Sequence, residues 1–401
     1  MRSSRNRSSS ARVKSAALPA ESLEHAFPEL DLALQPPYPA AEARSVKEVP
    51  RGAGWLYEPK WDGFRCLAFR SGNDVALQSK AGQPLTRYFP EIVEALRKLP
   101  SRRFVLDGEI VVQKRAGSHG AALDFDALLQ RIHPAASRIQ RLAAETPATY
   151  MVFDLLLEQS GRLLAGQPLS ERREELHRFA ERYFNGNTGV RLSPATMNFV
   201  TAEKWMREGA ASGWDGIVAK RIDCEYTSGE RTGMVKIKRI RSADCVVAGF
   251  RWLRGSSAGT KGKHGMGKQP EEEAVGSLLL GLYNEHGQLD HVGFSSSFNR
   301  EDRRELKAIL KPLIAGPPRN GGDSGPGGFT GKSPGGPSRW TKDDRDTAWV
   351  PLKPKLVGEF QYDHFSGGRF RHGTKFLRWR PEKKPQQCTT DQLRPLPAKA
   401  A

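Results

Sequence analysis

From about Tyr57 onward the chain is cut into short β-branched runs separated by turn signals, which limits it to short strands and short helices. Residues 64–70 run into Ser-Gly-Asn, and residues 104–113, 150–157 and 216–221 repeat the pattern. Between them, residues 90–99, 169–183 and 201–208 have helical spacing, the second rich in Glu/Arg pairs. Helices interleaved with strands of alternating polarity predict an α+β unit with antiparallel sheets. No apolar stretch is long enough for a spanning helix, and the basic N-terminus lacks the apolar core of a secretory signal.

After residue 241 the texture changes. Residues 245–252, 276–283 and 289–294 read as strands, and 301–311 as one helix that stops before Pro312. Nine Gly and five Pro within residues 316–337 require a loop, and residues 255–273 form another. Strands resume at 356–362 and 375–379. Several strands, one helix and long loops predict a small barrel of the OB type. Gly331-Lys332-Ser333 imitates the end of a P-loop. The required first glycine falls on Pro326, and Pro334 blocks a following helix, so the phosphate cradle fails.

Charge narrows the partners. Lys and Arg total 63 against 45 Asp and Glu, a formal net charge of +18, which points to nucleic acid. Residues 1–22 carry five basic side chains against one Glu and read as a disordered basic arm suited to a polyanion. The four cysteines, Cys66, Cys224, Cys245 and Cys388, are scattered and lack Cys-x-x-Cys spacing. They predict neither a disulfide scaffold nor a structural zinc site, but a reducing, cytoplasmic setting.

The sharpest chemical signal is Lys60-Trp61-Asp62-Gly63-Phe64-Arg65, a lysine in a strand-turn-strand context. Alone, such a lysine is usually a solvated surface residue, and the four further segments shift that balance. Leu106-Asp107-Gly108-Glu109 puts two carboxylates on one strand face, and burying them unpaired is costly, so that face lines a polar cleft. Phe153, beside the ionisable Asp154 in the buried-type strand at 150–157, suits either core or a stacking platform. Trp214-Asp215-Gly216 through Lys220 offers a carboxylate and a cation, which share one face only if Gly216 allows a bulge. Lys236 and Lys238 stand on one strand face roughly 7 Å apart, marking either a surface edge or a phosphate between them.

In this order and spacing, the five segments resemble the motifs of the covalent nucleotidyltransferase superfamily of ATP-dependent DNA ligases, RNA ligases and mRNA capping enzymes. The stretch from Arg371 to Lys383 resembles the sixth motif, which these DNA ligases carry at the end of an OB domain. Phe329-Thr330-Gly331, Pro337-Ser338-Arg339-Trp340 and the ending Cys388 to Leu393 look most like the short bacterial ligases called ligase C, with the ligase domain of ligase D close behind. The resemblance covers about residues 24–393. It implies an ATP-grasp-like nucleotidyltransferase (adenylation) domain over residues 23–240 and an OB-fold β-barrel over 241–395.

The resemblance also implies roles. Lys60 matches the lysine that attacks the α-phosphate of ATP, releases pyrophosphate and carries AMP. The AMP then passes to a DNA 5′-phosphate, and a 3′-hydroxyl displaces it. A lysine nucleophile must be neutral, and neighbouring cations and partial desolvation are expected to lower its pKa, Lys236 and Lys238 among them. Glu58, Arg65, Glu109, Phe153, Lys236, Lys238, Arg380 and Lys383 match nucleotide-binding positions. Arg65 and Glu109 lie by the ribose, Phe153 stacks on adenine, and Arg380 and Lys383 address the leaving phosphates. Glu109 and Asp215 match ligands of a magnesium or manganese ion. Asp215 stands where the family has Glu, Met234 where an aromatic residue is frequent, and Glu382 where Asp is usual. The implied partners are nicked double-stranded DNA and DNA end-binding repair proteins, met by a nucleoid-associated monomer with no membrane. A hinge is expected near residues 238–244, where the two textures meet.

Overall fold

The punctuated first half folds as two sheets, in a computed structural model that describes residues 27–113, 123–186, 189–253, 274–317, 319, 327–335 and 348–393. The basic arm, the loop at 255–273 and residues 338–340 lie outside the described residues. Strands β1 (Arg44–Ser45) and β2 (Trp55–Trp61) belong to a smaller sheet. A larger one begins with β3 (Phe64–Ser71) and β4 (Asp74–Ser79), a hairpin closed by a turn at Gly72, whose φ of 61° suits glycine. It continues through β5 (Arg103–Val112), β6 (Ala148–Leu157) and β7 (Val190–Leu192) in the order β4-β3-β5-β6-β7. Strands β8 (Trp214–Arg221) and β9 (Met234–Lys238) complete the smaller sheet as β1-β9-β8-β2. The β1–β9 and β6–β7 pairs are parallel, which corrects the expectation of purely antiparallel sheets. Each joins strands separated by long connections, where a hairpin cannot impose antiparallel pairing.

Among the described residues five α-helices accompany these strands: α1 (Pro90–Arg97), α2 (Phe125–Arg131), α3 (Ala136–Glu145), α4 (Leu169–Tyr183) and α5 (Phe199–Ser212). Proline at the start of α1 sits where no intrahelical donor is needed. The sequence did not signal α2 or α3; α2 is started by Asp124, which accepts from Ala127 N at 3.0 Å. Both faces of the larger sheet are buried. Cys66 and Ala68 of β3 cluster with Ile92 and Leu96 of α1 and Leu176 and Phe179 of α4. Leu67 and Phe69 cluster instead with Leu30, Leu34 and Ala41 of the N-terminal segment.

A buried ion pair ties α4 to this sheet. Arg172 donates to both oxygens of Asp154 at 2.9 and 3.0 Å, and its Nη1 to the carbonyls of Gln167 and Cys224. Burial raises the Asp154 pKa, but the Arg172 charge and hydrogen bonds outweigh it, and the carboxyl lies below its ordinary value. Asp154→Ala strands the guanidinium and is expected to cost about 3–5 kcal/mol in urea unfolding. A loss under about 1 kcal/mol would mean that water replaces the carboxylate. Because the folded pKa is depressed, the pair's full contribution is present above the ordinary aspartate value near about 4 and is lost as pH falls through the folded pKa.

In the second half, β10 (Arg241–Trp252), β11 (Val275–Tyr283) and β12 (Leu289–Ser295) precede α6 (Arg300–Leu310). Then come β13 (Val350–Tyr362), β14 (Phe365–Ser366), β15 (Arg369–Phe370) and β16 (Lys375–Trp379). Asn299 and Asp302 form a capping box that starts α6. The main sheet is antiparallel in the order β12-β11-β10-β13-β16, around a core that includes Phe250, Trp349 and Phe360. Its edge strands approach only through a parallel bridge, Ser295–Thr374, so the described residues form an open sheet and no closed barrel. Gly331-Lys332-Ser333 is followed by a turn at Pro334-Gly335, and Lys332 N donates to Asp290 Oδ1 at 2.7 Å. The chain divides into two compact units, Met1–Trp205 with Ser212–Ile237, and Met206–Ala211 with Lys238–Ala401.

Candidate active site

In the first unit, β2 carries Lys60 one residue from its end, on the first strand of the expected strand-turn-strand. The chain reverses at Asp62-Gly63 into β3, and only glycine fits there. A Cβ on Gly63 would stand 2.2 Å from the Ile110 carbonyl oxygen and 2.9 Å from Glu109 Cγ. Gly108 is under the same constraint, 2.6 Å from the Met151 carbonyl oxygen. These two close approaches hold Lys60, Arg65 and Glu109 on neighbouring strands, with Arg65 directly opposite Glu109 in the β3–β5 register.

The opposite side of Lys60 is set by a bulge. Pro59 pairs with Ile217 and Trp61 with Trp214, two steps along β2 against three along β8, so one extra residue is accommodated at Asp215-Gly216. Strict alternation would separate Asp215 from Lys220. With the bulge, Lys60 Nζ lies 2.9 Å from Asp215, and Lys220 Nζ 2.7 Å from Glu58, two residues along the same face of β2. Glu58 also takes Arg173 Nη1 at 3.2 Å, so its buried carboxylate is held between two cations.

These charges reverse one expectation. Burial lowers the Lys60 pKa, but Asp215 above all, then Glu109 and Asp62, raise it more, and the ammonium holds its proton more firmly than an ordinary lysine. The groups that act on Lys60 are carboxylates, where Lys236 and Lys238 had been expected to depress its pKa. Burial raises the Glu109 carboxyl to about 7, against the pull of Arg65 and Lys60, with Asp107 and Asp62 adding to the rise. The Glu109 carboxylate accepts no hydrogen bond among the described residues. Both carboxylates act on Lys60 and offer the hard oxygen ligands that a divalent ion takes, so Glu109 and Asp215 suit magnesium or manganese.

Around the other expected residues, Arg65 makes a two-pronged bond to Asp107, Nε to Oδ1 and Nη2 to Oδ2, both at 2.6 Å. Phe153 is buried, with the Arg65 guanidinium 4.6 Å and the Lys220 ammonium 4.4 Å from its ring centre. Lys236 pairs through its backbone with Ser45 and Val46, and alternate burial along β9 puts its side chain on the same face as Lys238. In the second unit Lys238 Nζ reaches Asp363 at 3.3 Å. Arg380 and Lys383 both bind Asp244, at 2.8 and 2.6 Å, while the Gln392 amide clamps the Asp244 backbone at N and O.

Four residues around this machinery escaped the sequence reading: Arg173 on Glu58, Asp107 as the anchor of Arg65, Tyr226 on Asp107, and Asp244 between Arg380 and Lys383. Asp107 had been placed on the right strand face without a role. The others are contacts across 115 to 139 residues of chain, which no local pattern reports.

Residues 37–238 match the family described as the ATP dependent DNA ligase domain, and residues 271–383 the ATP dependent DNA ligase C terminal region. The chain is 42% identical to DNA ligase C1 of Mycolicibacterium smegmatis over 91% of its own length and 96% of that protein. It is 28% identical to the multifunctional non-homologous end joining DNA repair protein LigD of Mycobacterium tuberculosis, over 85% of this chain and 38% of that protein. A solved structure, Pmar-Lig_Pre, has a similar fold, with a TM-score of 0.53 and 15% identity over 86% of this chain and 67% of that one.

Proposed function

Because this chain belongs to the ATP-dependent DNA ligase family, we propose that it seals 5′-phosphate/3′-hydroxyl nicks in duplex DNA by way of an AMP carried on Lys60. The observation that carries this reading is Lys60 on the rim of β2, 2.9 Å from Asp215 and flanked by Glu109. In the first step Lys60 Nζ bonds to the α-phosphorus of ATP as the bond to pyrophosphate breaks, and the lysine's proton is lost. In the second, an oxygen of the DNA 5′-phosphate takes the AMP and the P–N bond breaks. In the third, the 3′-hydroxyl attacks the 5′-phosphorus and AMP leaves.

Phosphoryl transfer of this kind is mostly positioning and charge stabilisation. Arg65 addresses the ribose, Phe153 the adenine and Glu58 the base-side wall of the pocket. Lys236 and Lys238 neutralise the α-phosphate, and Arg380 and Lys383 the departing phosphates. Glu109 and Asp215 would hold the divalent ion, which when bound supplies positive charge at the α-phosphate and offsets the carboxylates that raise the Lys60 pKa. Removing divalent metal with EDTA is expected to stop AMP uptake, and Asp215→Asn to slow it by about a hundredfold. Wild-type sealing by Asp215→Asn would give the ion other ligands.

We read the second unit's open sheet, bridged at Ser295–Thr374, as an OB-type barrel, with a hinge near residues 238–244. The similarity to a LigD repair protein supports work in DNA repair beside end-binding proteins. Incubation with α-labelled ATP and then nicked duplex tests the whole reading: label should appear first on the protein and then at the nick. GTP labelling instead would make it a capping-type enzyme.

A further inference from the structure

We propose that Tyr226 is a positioning residue that acts through Asp107 on Arg65 and thereby sets how strongly the protein prefers ATP over its 2′-deoxy counterpart. This rests on the reading of Arg65 as the ribose contact of an AMP-accepting enzyme.

The contacts close a ring. Arg65 holds both oxygens of Asp107, which is fully buried, and Tyr226 Oη donates to Asp107 Oδ2 at 2.6 Å. The same Tyr226 oxygen accepts from Ala41 N at 3.1 Å, and the Ala41 carbonyl accepts from Arg65 Nη2 at 3.4 Å. Two prongs alone let a guanidinium–carboxylate pair rock about their shared axis. A third donor on Oδ2 fixes the plane of the carboxylate, and with it the plane of the guanidinium.

That plane matters because of what Arg65 leaves over. Its Nε and Nη2 are used, while Nη1 makes no hydrogen bond among the described residues and the side chain is 23% exposed. The same guanidinium lies 4.6 Å from the centre of the Phe153 ring, so the Arg65 head stands beside the residue assigned to the base. A sugar hydroxyl at that point gains a charge-assisted bond. A sugar without it leaves the donor unpaired, and a site built to bond a hydroxyl discriminates strongly against its absence. Tyr226 is itself fixed by Tyr38, stacked at 6.3 Å, and by the Arg172 guanidinium at 5.7 Å. Burial and the Asp107 charge hold its hydroxyl protonated, as a donor must be.

The test uses the full chain with Tyr226→Phe, which removes one oxygen and keeps the ring, and with Asp107→Asn as a second variant. Formation of the lysyl-AMP adduct is measured with labelled ATP and labelled 2′-deoxyATP, alongside thermal unfolding. Tyr226→Phe is expected to raise the KM for ATP about tenfold while moving that for 2′-deoxyATP by less than about twofold, so the preference collapses. Asp107→Asn should narrow it in the same sense. If both nucleotides weaken by the same factor, or neither changes, Tyr226 is only a structural prop and the inference is wrong. Absence of label on the wild-type protein would overturn the underlying reading, and this one with it. A labelled wild type whose preference survives Tyr226→Phe overturns this inference alone.

Discussion

Lys60→Arg is expected to take up no AMP from labelled ATP, a loss of about four orders of magnitude or more. Arginine keeps a positive charge beside Asp215, so the ion pair at 2.9 Å and the β2–β8 seam survive. What it lacks is a nitrogen that can lose its proton and bond to phosphorus, since the guanidinium stays charged at any working pH. Lys60→Ala should be equally unlabelled. It is the poorer variant, because it leaves Asp215 buried opposite an empty position. A protein phosphoramide in Lys60→Arg would place the nucleophile on another lysine. Both variants should still bind nicked DNA, because the basic surface is untouched.

The second large effect separates two steps of one reaction. Lys383→Ala is expected to lose AMP uptake by about two to three orders of magnitude while still sealing a nick that already carries AMP. Pyrophosphate departs only in the first step, so a cation that orients it is needed there and nowhere later. In the second unit Lys383 and Arg380 are gathered on the one carboxylate of Asp244, with Glu359 and Glu382 also on Arg380. Held in this way they act as a fixed pair of charges rather than as loose surface side chains. Equal loss in both assays, worsened by added salt, would instead make Lys383 a contact to DNA phosphates.

Much of this protein was legible from residue pattern alone. The helix at Leu169–Tyr183 and the strands that carry Arg65, Glu109, Phe153 and Lys236 followed from periodicity, because period two and period 3.6 are local properties. Helices α2 and α3 were not legible. They are short, and α2 depends on the Asp124 cap and on burying Leu128 in the core, which is a tertiary gain. The parallel β1–β9 and β6–β7 pairs were missed for a related reason, since strand direction across a long connection is settled by where the chain returns.

By itself the sequence singled out, in order, the residues we propose bear the chemistry: Lys60, Arg65, Glu109, Phe153, Asp215, Lys236 and the cations near the C-terminal end. The tertiary structure alone decided how those residues affect one another. The extra residue at Asp215-Gly216 brings a carboxylate onto Lys60 and raises a pKa that the neighbouring lysines had been expected to lower. Arg173 and Lys220 converge on Glu58, and Tyr226 reaches Asp107 across 119 residues of chain. The physical reason is one of range. Hydrophobic period and turn chemistry act over a few residues, whereas electrostatic and hydrogen-bond energies depend on distance in space, which the chain acquires only when it folds.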